Sequence, residues 1–538
     1  MFKTKILQKT GHHFPLGRKI CFALAACSMF HFAHAHADGC DDAFGDKPSQ
    51  LFLSPSVPSS KPANATSHIL DKTYFVYTDE FADGTFESII KELPHLKEIG
   101  IEIVWVSPLH PQTTKEYRGT KNNHRYWVSD YFQVDPLIGG ISAYRALIAA
   151  GAAHGIRIML DVVADHCGYG NCLHVKYTAD DGTVVDEVWD TKDPTYFRQE
   201  FIPDGFYDRL NAATEPHTIL PLLDELSRYQ WDKDLPVFNH RNEKVFQLLY
   251  HAYRDLVDEG ETEIRMDASK HMHMPMNFQV RLINALNAHS VKKFGRNMSF
   301  LFEYQFYNYQ SLDTVTKDIL PNVTGAKVYL FDFPLAGMVR EAFGRSFYDL
   351  KGDILWRQHP SRPLNHYVPL LQDHDFLTRM PHKRSLFSHL LSDMLSKNPT
   401  VLYHGAEIGG HKEAREWIAG VDVTGEVGQA TKKMKELMEP FHLSPDFHNV
   451  HVLMVNHNQI LLEKSIDKHG VLLFMQKGHG EMEETMHLPR GVKAGDLEVA
   501  IKYLANDNSA IEVVQEADDR IRIKANGPSL VVLKVKYQ

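Results

Sequence analysis

The stretch Glu263 to His271 reads E-I-R-M-D-A-S-K-H and carries the densest chemistry in the chain. Arg265 lies two residues before Asp267, so on a strand both side chains leave the same face. A cation beside a carboxylate favours its ionised form, which a nucleophilic aspartate requires. Ile264 and Met266 alternate with them and turn to the other face. Lys270 and His271 follow where a strand gives way to a loop, and both side chains can hydrogen-bond hydroxyl groups.

Three more stretches end in polar clusters. Residues 161–166 read D-V-V-A-D-H, ending in Asp165 and His166. Glu303 follows an apolar run in L-F-E-Y-Q-F, flanked by Phe302 and Tyr304, a setting that favours a protonated acid. Residues 372–375 read Q-D-H-D, with His374 and Asp375. His124-Arg125-Tyr126 stands earlier, and P-T-V-L-Y-H-G-A-E-I-G spans 399–409. Two carboxyl groups in different environments can divide the work of a nucleophile and a proton donor. Asp267 and Glu303 suit those parts, and Asp375 is a third acid.

Such residues need strands to carry them. Strands are read at the apolar runs Tyr74–Tyr77, Ile101–Val106, Ile156–Val163, Phe300–Phe302, Val328–Phe333, Tyr367–Leu371 and Val401–Tyr403 and at the alternating Glu263–Asp267, with helical patterns between them. Eight such units predict a (β/α)8 TIM barrel, whose catalytic groups project from the C-terminal strand ends. About 75 residues separate His166 from Arg241 and do not read as one helix, so a subdomain is inserted after strand 3. Beyond residue 445 short strands and turns predict a C-terminal β-sandwich. The expected organisation is an export signal at 1–37, a linker or N-terminal arm at 38–70, barrel at 71–166, inserted subdomain at 167–241, barrel again at 242–444, and the sandwich at 445–538.

These motifs together resemble the α-amylase superfamily, glycoside hydrolase family 13, in which the fourth-strand motif is G-x-R-x-D-x-x-K-H. The match covers roughly residues 72 to 410 and is divergent: Glu263 stands for the glycine, Asp165 for the asparagine of D-x-x-x-N-H, Asp373 for the asparagine of N-H-D, and Arg125 for the glycine of H-G-Y. The resemblance implies Asp267 as nucleophile, Glu303 as acid/base and Asp375 as the group gripping the 2- and 3-hydroxyls. It implies His124, Tyr126, His166, Arg265, Lys270, His271 and His374 as substrate-binding residues. It also implies a structural calcium near Asp165. Against that, Leu235-Pro236-Val237-Phe238-Asn239 lacks the aspartate of the family's L-P-D-L-N. No cofactor is required for the chemistry, and calcium stays an open alternative.

The implied substrate is an α-1,4-glucan such as starch, glycogen or a maltooligosaccharide. The alternatives are a 4-α-glucanotransferase or cyclodextrin-degrading enzyme of the same fold, and a non-catalytic amylase-like binding domain. The last would be expected to lack one of the three acids.

Bulk properties agree with this. An apolar share of 43% in 538 residues suffices for a large core. Residues 1–37 hold Lys3, Lys5, Lys9, Arg18 and Lys19 and no acid, then an apolar run from Ile20 to Phe32 and small residues, the pattern of a secretory signal. Export to a periplasmic or extracellular space is expected. Leu24-Ala25-Ala26-Cys27 also resembles a lipoprotein cleavage site, but the apolar stretch before it is short. Removal of 1–37 moves the formal charge from −10 to −15, which disfavours nucleic acid and anionic membranes as partners. No stable membrane insertion is expected, and the sequence is silent on oligomeric state. In an oxidising compartment Cys167 and Cys172, five residues apart, are expected to form a disulfide.

Overall fold

The computed structural model describes residues 50–53, 71–113, 125–168, 170, 172–231, 235–273, 277–372, 382–408, 425–478, 480–489, 492–505 and 509–537. The segment 1–37 read as an export signal lies outside them.

Eight strands build the central sheet: β1 Thr73–Val76, β2 Ile103–Val106, β3 Arg157–Val162, β4 Glu263–Met266, β5 Ser299–Phe302, β6 Lys327–Phe331, β7 Tyr367–Val368 and β8 Leu402–Tyr403. They pair in parallel in the order β7-β6-β5-β4-β3-β2-β1-β8. A parallel bridge between Leu370 and Val401, just past β7 and just before β8, joins the two ends and closes a (β/α)8 barrel. The strands are apolar almost throughout because parallel strands are covered on both faces.

The connecting helices follow their apolar periodicity. Phe86–Glu98 buries Ile89, Leu93 and Leu96 and is capped by Thr85, whose side chain accepts from Ser88 N. It runs a further turn past Pro94, which the sequence led us to expect would kink or shorten it; burial of Leu93 and Leu96 outweighs the lost hydrogen bond. Glu243–Asp258 leads into β4, capped by the side chain of Asn242.

Between β3 and that helix lie an antiparallel hairpin, Cys172–Thr178 with Val184–Asp190, and two helices, Phe206–Ala212 and Pro216–Leu226. Leu173, Val175, Trp189, Phe206, Ile219 and Leu223 share one apolar cluster with the barrel, so this segment packs on it rather than standing free. Bridges return it to β3: His166 pairs with Val237, and Phe238 N donates to Asp165 O at 2.9 Å.

The disulfide expected between Cys167 and Cys172 is not formed; both cysteines are free. Cys167 is buried in the barrel cluster, and burial pushes its thiol well above the ordinary range, whereas Cys172 opens the hairpin facing solvent. The neighbouring Gly168 is pinned there: a Cβ would sit 2.3 Å from Trp127 O.

The C-terminal region has two antiparallel layers. A six-stranded sheet holds His451–Val455, Gln459–Ile466, His469–Gln476, Ser529–Lys536 and Leu497–Leu504. Its sixth strand is Gln50–Leu53, paired with Leu497–Leu504, so the stretch 38–70 read as a linker or arm contributes an edge strand to this sheet. A three-stranded sheet (Glu481–His487, Arg520–Asn526, Ala510–Ala517) covers one face, with Leu461, Leu472, Phe474, Ile511, Ile523 and Leu533 between the layers. The alternate residues Ile460, Leu462, Leu473 and Val532 face the other way, onto the barrel helices His382–Leu395 and Glu426–Leu443. No helix among the described residues is long and apolar enough to cross a membrane.

Candidate active site

Three adjacent strands deliver charge to one point. Asp161 of β3 and Arg265 of β4 are register partners, and Asp267 and Glu303 are the first residues past β4 and β5. The ladder reaches just far enough to hold them: Asp267 N donates to Val162 O at 3.0 Å and Glu303 N to Met266 O at 3.1 Å. Arg265 Nη1 donates to Asp161 Oδ1 and to Asp267 Oδ1, each at 2.7 Å, and Nη2 donates to Glu303 Oε2 at 2.7 Å. One guanidinium thus bridges three carboxylates. Its planar fork suits this, where a lysine would supply only a point charge.

Asp161 is buried, and burial raises its pKa to about 6 against the pull of Arg265. The Tyr126 hydroxyl (2.7 Å) and Trp105 Nε1 (3.0 Å) both donate to Asp161 Oδ2. The Arg265 guanidinium lies 5.2 Å from the Trp105 ring centre and 5.6 Å from that of Tyr126, completing an aromatic cage.

The turn after β4 is strained. Ala268 adopts φ 47°, ψ 33°, a left-handed conformation uncommon outside glycine. This aims its N–H at Glu303 Oε2, 3.0 Å away. A short 3-10 turn, Ser269–Met272, follows and carries Lys270 and His271. The aromatic neighbours of Glu303 do not both enclose it: the Tyr304 hydroxyl is turned to Gln279 Oε1 and His273 Nδ1, both at 2.5 Å.

A second layer of polar groups lies behind. His166 Nε2 is 3.1 Å from Tyr126 O, and its Nδ1 is 3.6 Å from Asp165 Oδ2. Burial alone would lower the His166 pKa, but Asp165, with Asp267 beyond, raises it on balance. Burial also opposes ionisation of Asp165; His166, Arg198 and His271 outweigh it and hold the carboxyl well below the usual range. Trp231 Nε1 donates to Asp165 Oδ2 at 2.6 Å. The His271 ring lies beside Trp231, and burial pushes its pKa down to about 3. Lys270 is half-buried, its ammonium 5.1 Å from the Tyr207 ring centre and 5.9 Å from that of Phe306.

The divergent positions have structural reasons. Arg125 is buried with its guanidinium spent on Asp79 and Asp135 (2.7 Å each) and on the Pro108 and His110 carbonyls (2.7 and 3.0 Å). Glu263 sits at the opposite end of β4 from Asp267, 3.1 Å from Arg157 Nε. His124, Asp373, His374 and Asp375 lie outside the described residues. Among the described residues no group of three or more His, Cys, Asp or Glu converges on a point where a metal ion could sit.

Sequence reasoning assigns no role to Asp161, Trp105 or Trp231. Asp161 does carry a signal: an acid inside an apolar strand, in phase with Val163 and Asp165, must face the same side as they do. Trp231 carries none, because its partner lies 66 residues away.

A family model described as the α-amylase catalytic domain matches residues 68–319. A cyclomaltodextrin glucanotransferase from Bacillus sp. (strain 17-1) is 22% identical over 495 residues, covering 84% of this chain and 66% of that protein. Another from Niallia circulans is 24% identical over 391 residues, covering 65% and 50%. This chain therefore spans 50 to 66% of the length of these curated relatives. Among solved structures, the gamma-CGTase from alkalophilic Bacillus clarkii aligns with a TM-score of 0.65 at 17% identity, over 88% of this chain and 72% of that one. An α-amylase from Geobacillus thermoleovorans, complexed with acarbose, aligns with a TM-score of 0.62 at 16% identity, over 87% and 98%. At such identities the structural likeness speaks to the fold.

Proposed function

Because the chain is a divergent member of the α-amylase superfamily, we infer that it is a retaining enzyme of α-glucans, cleaving α-1,4 bonds of starch, glycogen or maltooligosaccharides. The observation that carries this reading is the single Arg265 guanidinium joined to both Asp267 and Glu303 at adjacent strand ends. Two carboxyl groups so linked are close neighbours, as a retaining pair must be.

In this mechanism Asp267 attacks the anomeric carbon while Glu303 gives its proton to the departing oxygen. Arg265 fixes the rotamer of Asp267 through Oδ1 and keeps its charge compensated. The leaving sugar departs and the glycosyl unit is left on Asp267. Glu303, now ionised, takes the proton of a water that attacks the same carbon from the opposite side and frees Asp267. Two inversions give net retention. Asp375 is assigned the 2- and 3-hydroxyls by resemblance, with His374 and His124 beside it; Tyr126 and His166 are assigned the same sugar.

Transfer to a sugar acceptor is the second reading. The half-buried Tyr207 ring beside Lys270 offers an apolar surface on the side that the resemblance gives to the leaving group, where an acceptor sugar competes with water. Incubating the purified protein with maltooligosaccharides of several lengths separates the two. Shorter products alone mean hydrolysis; longer ones alongside mean transfer. No change in any oligosaccharide, with Asp267→Asn indistinguishable from the unaltered protein, would leave only a binding role.

A further inference from the structure

The family resemblance implies a calcium at Asp165, and the residues present do not fit one. Arg198, from the segment between β3 and β4, is buried beside that carboxylate at 5% exposure. Its Nη2 donates to the His271 backbone carbonyl at 3.1 Å and to His240 Nδ1 at 2.6 Å, and its Nη1 donates to Tyr229 O at 3.1 Å. Although burial draws its pKa down to about 10, Arg198 remains a cation at neutral pH, and its charge acts on Asp165.

The rest of the site is already neutral or spent. His240 Nε2 lies 2.8 Å from Ala164 O, so that nitrogen carries the proton and Nδ1 accepts from Arg198. Burial and Arg198 push the His240 pKa to about 3, keeping the ring uncharged. Val237, fully buried, stands where the family has an aspartate. Asn239 turns its amide outward, donating to Pro194 O and Thr195 O. A calcium ion takes roughly 6–8 oxygen ligands, several of them anionic. Among the described residues it would find one carboxylate, already bonded to Trp231 at 2.6 Å, and a fixed guanidinium repelling it.

We propose that Arg198 is the built-in cation of this site, holding Asp165 and the His271 carbonyl together in place of a divalent metal. Four buried side-chain atoms of the residues around this site have no protein hydrogen bond, Asp165 Oδ1, Arg198 Nε, His166 Nδ1 and His271 Nδ1; the first two are an acceptor and a donor of opposite charge, the pairing of a water-bridged ion pair. The link runs from the inserted segment to the turn that bears Lys270 and His271. Because the cation is covalent, it does not dissociate, and the stability of this junction carries no metal-concentration dependence.

Trp231 supplies the probe. Terbium replaces calcium at oxygen sites and emits when a neighbouring tryptophan is excited. Titration of the full chain with terbium chloride is expected to give no emission that Trp231→Phe removes. Arg198→Met is expected to lower Tm. Arg198→Ala combined with Val237→Asp is expected to gain Trp231-dependent terbium emission and a Tm that calcium raises and EDTA lowers. The proposal is overturned if the unaltered protein shows terbium emission that both Trp231→Phe and Asp165→Ala abolish, or if Arg198→Met leaves Tm unchanged. The terbium reading on the unaltered protein decides even if a variant does not fold.

Discussion

Ala268 is the residue on which the geometry of the two acids turns. Its left-handed backbone directs one N–H to Glu303 while Asp267 stays on the β4 ladder. A non-glycine residue held at positive φ costs of the order of 1–2 kcal/mol. Ala268→Gly should therefore fold within about 1 kcal/mol of the unaltered protein, the relieved strain offsetting the added unfolded-chain entropy. Ala268→Val should lose more than that in stability and most of its turnover, because a β-branched residue resists positive φ. Thermal unfolding and steady-state rates on the three proteins check this; an active, stable Ala268→Val would remove Ala268 from the argument. For Glu303, general acid help is worth roughly 100- to 10,000-fold. Glu303→Gln should lose that on natural oligosaccharides but much less on substrates with a nitrophenolate leaving group. Added azide, which needs no deprotonation, should restore turnover and give an α-glycosyl azide. Equal losses on both substrates without rescue would assign the acid/base role elsewhere.

At the scale of elements, the turn after β8 is tied back to β1 by a buried acid. The Tyr74 hydroxyl donates to Glu407 Oε1 at 2.8 Å, and burial raises the Glu407 pKa from 4.5 to about 7. The folded state therefore favours the protonated acid. Its contribution to stability is complete below about pH 4.5 and is lost as pH rises through about 7. At ~1.4 kcal/mol for each tenfold change in proton affinity, it amounts to about 3 kcal/mol. Asp161 and Asp393, both raised to about 6 by burial, act in the same direction. Tm should fall across this range, and Glu407→Gln, which keeps an acceptor for Tyr74, should reduce the fall without abolishing it. An unchanged Tm-against-pH slope in that variant would mean Glu407 does not titrate there. Lys72, drawn down to about 7 by burial, works oppositely: its contribution is complete above its unperturbed 10.5 and is lost as pH falls toward 7.

The whole molecule is joined by a core that crosses from barrel to C-terminal sheet. Ile460, Leu462, Leu473 and Val532 pack with Leu386, Leu390, Met394, Met434 and Met438, and the Phe387 and Tyr503 rings meet edge-on at 5.8 Å. Lys464 of the sheet donates to the Ser396 carbonyl at 2.9 Å. Exposing such a face is costly, each fully buried Leu or Met being worth roughly 1.5–3 kcal/mol. A chain ended after residue 444 is expected to be insoluble, and calorimetry of the full chain is expected to show one unfolding transition. A soluble, folded barrel fragment would count against a shared core. Leu473→Ala should cost about 2–5 kcal/mol, more than an exposed truncation would.

What was legible in the sequence was legible because it is local. Apolar runs mark most of the barrel strands, since a strand covered on both faces is largely apolar, while Glu263–Met266 shows itself by its charged alternation instead. The period of two put Arg265 and Asp267 on one side, and they meet at 2.7 Å. The long gap after His166 announced inserted structure, and the hairpin and two helices lie there. What depended on distant chain was not legible. Asp161 joins Arg265 across 104 residues, and the strand at Gln50–Leu53 pairs with one more than 400 residues later. Cys167 and Cys172 are near in sequence, yet packing sends one thiol into the core and leaves the other outside. Arg125 was legible only as the residue that replaces the glycine of H-G-Y, and Arg198 carried no signal. Only the fold brings the first onto Asp79 and Asp135, and the second to the carbonyl of His271. Spacing fixes which side of its own element a residue faces; which opposite charge it meets is decided by the packing of elements, where burial makes every such pairing compulsory.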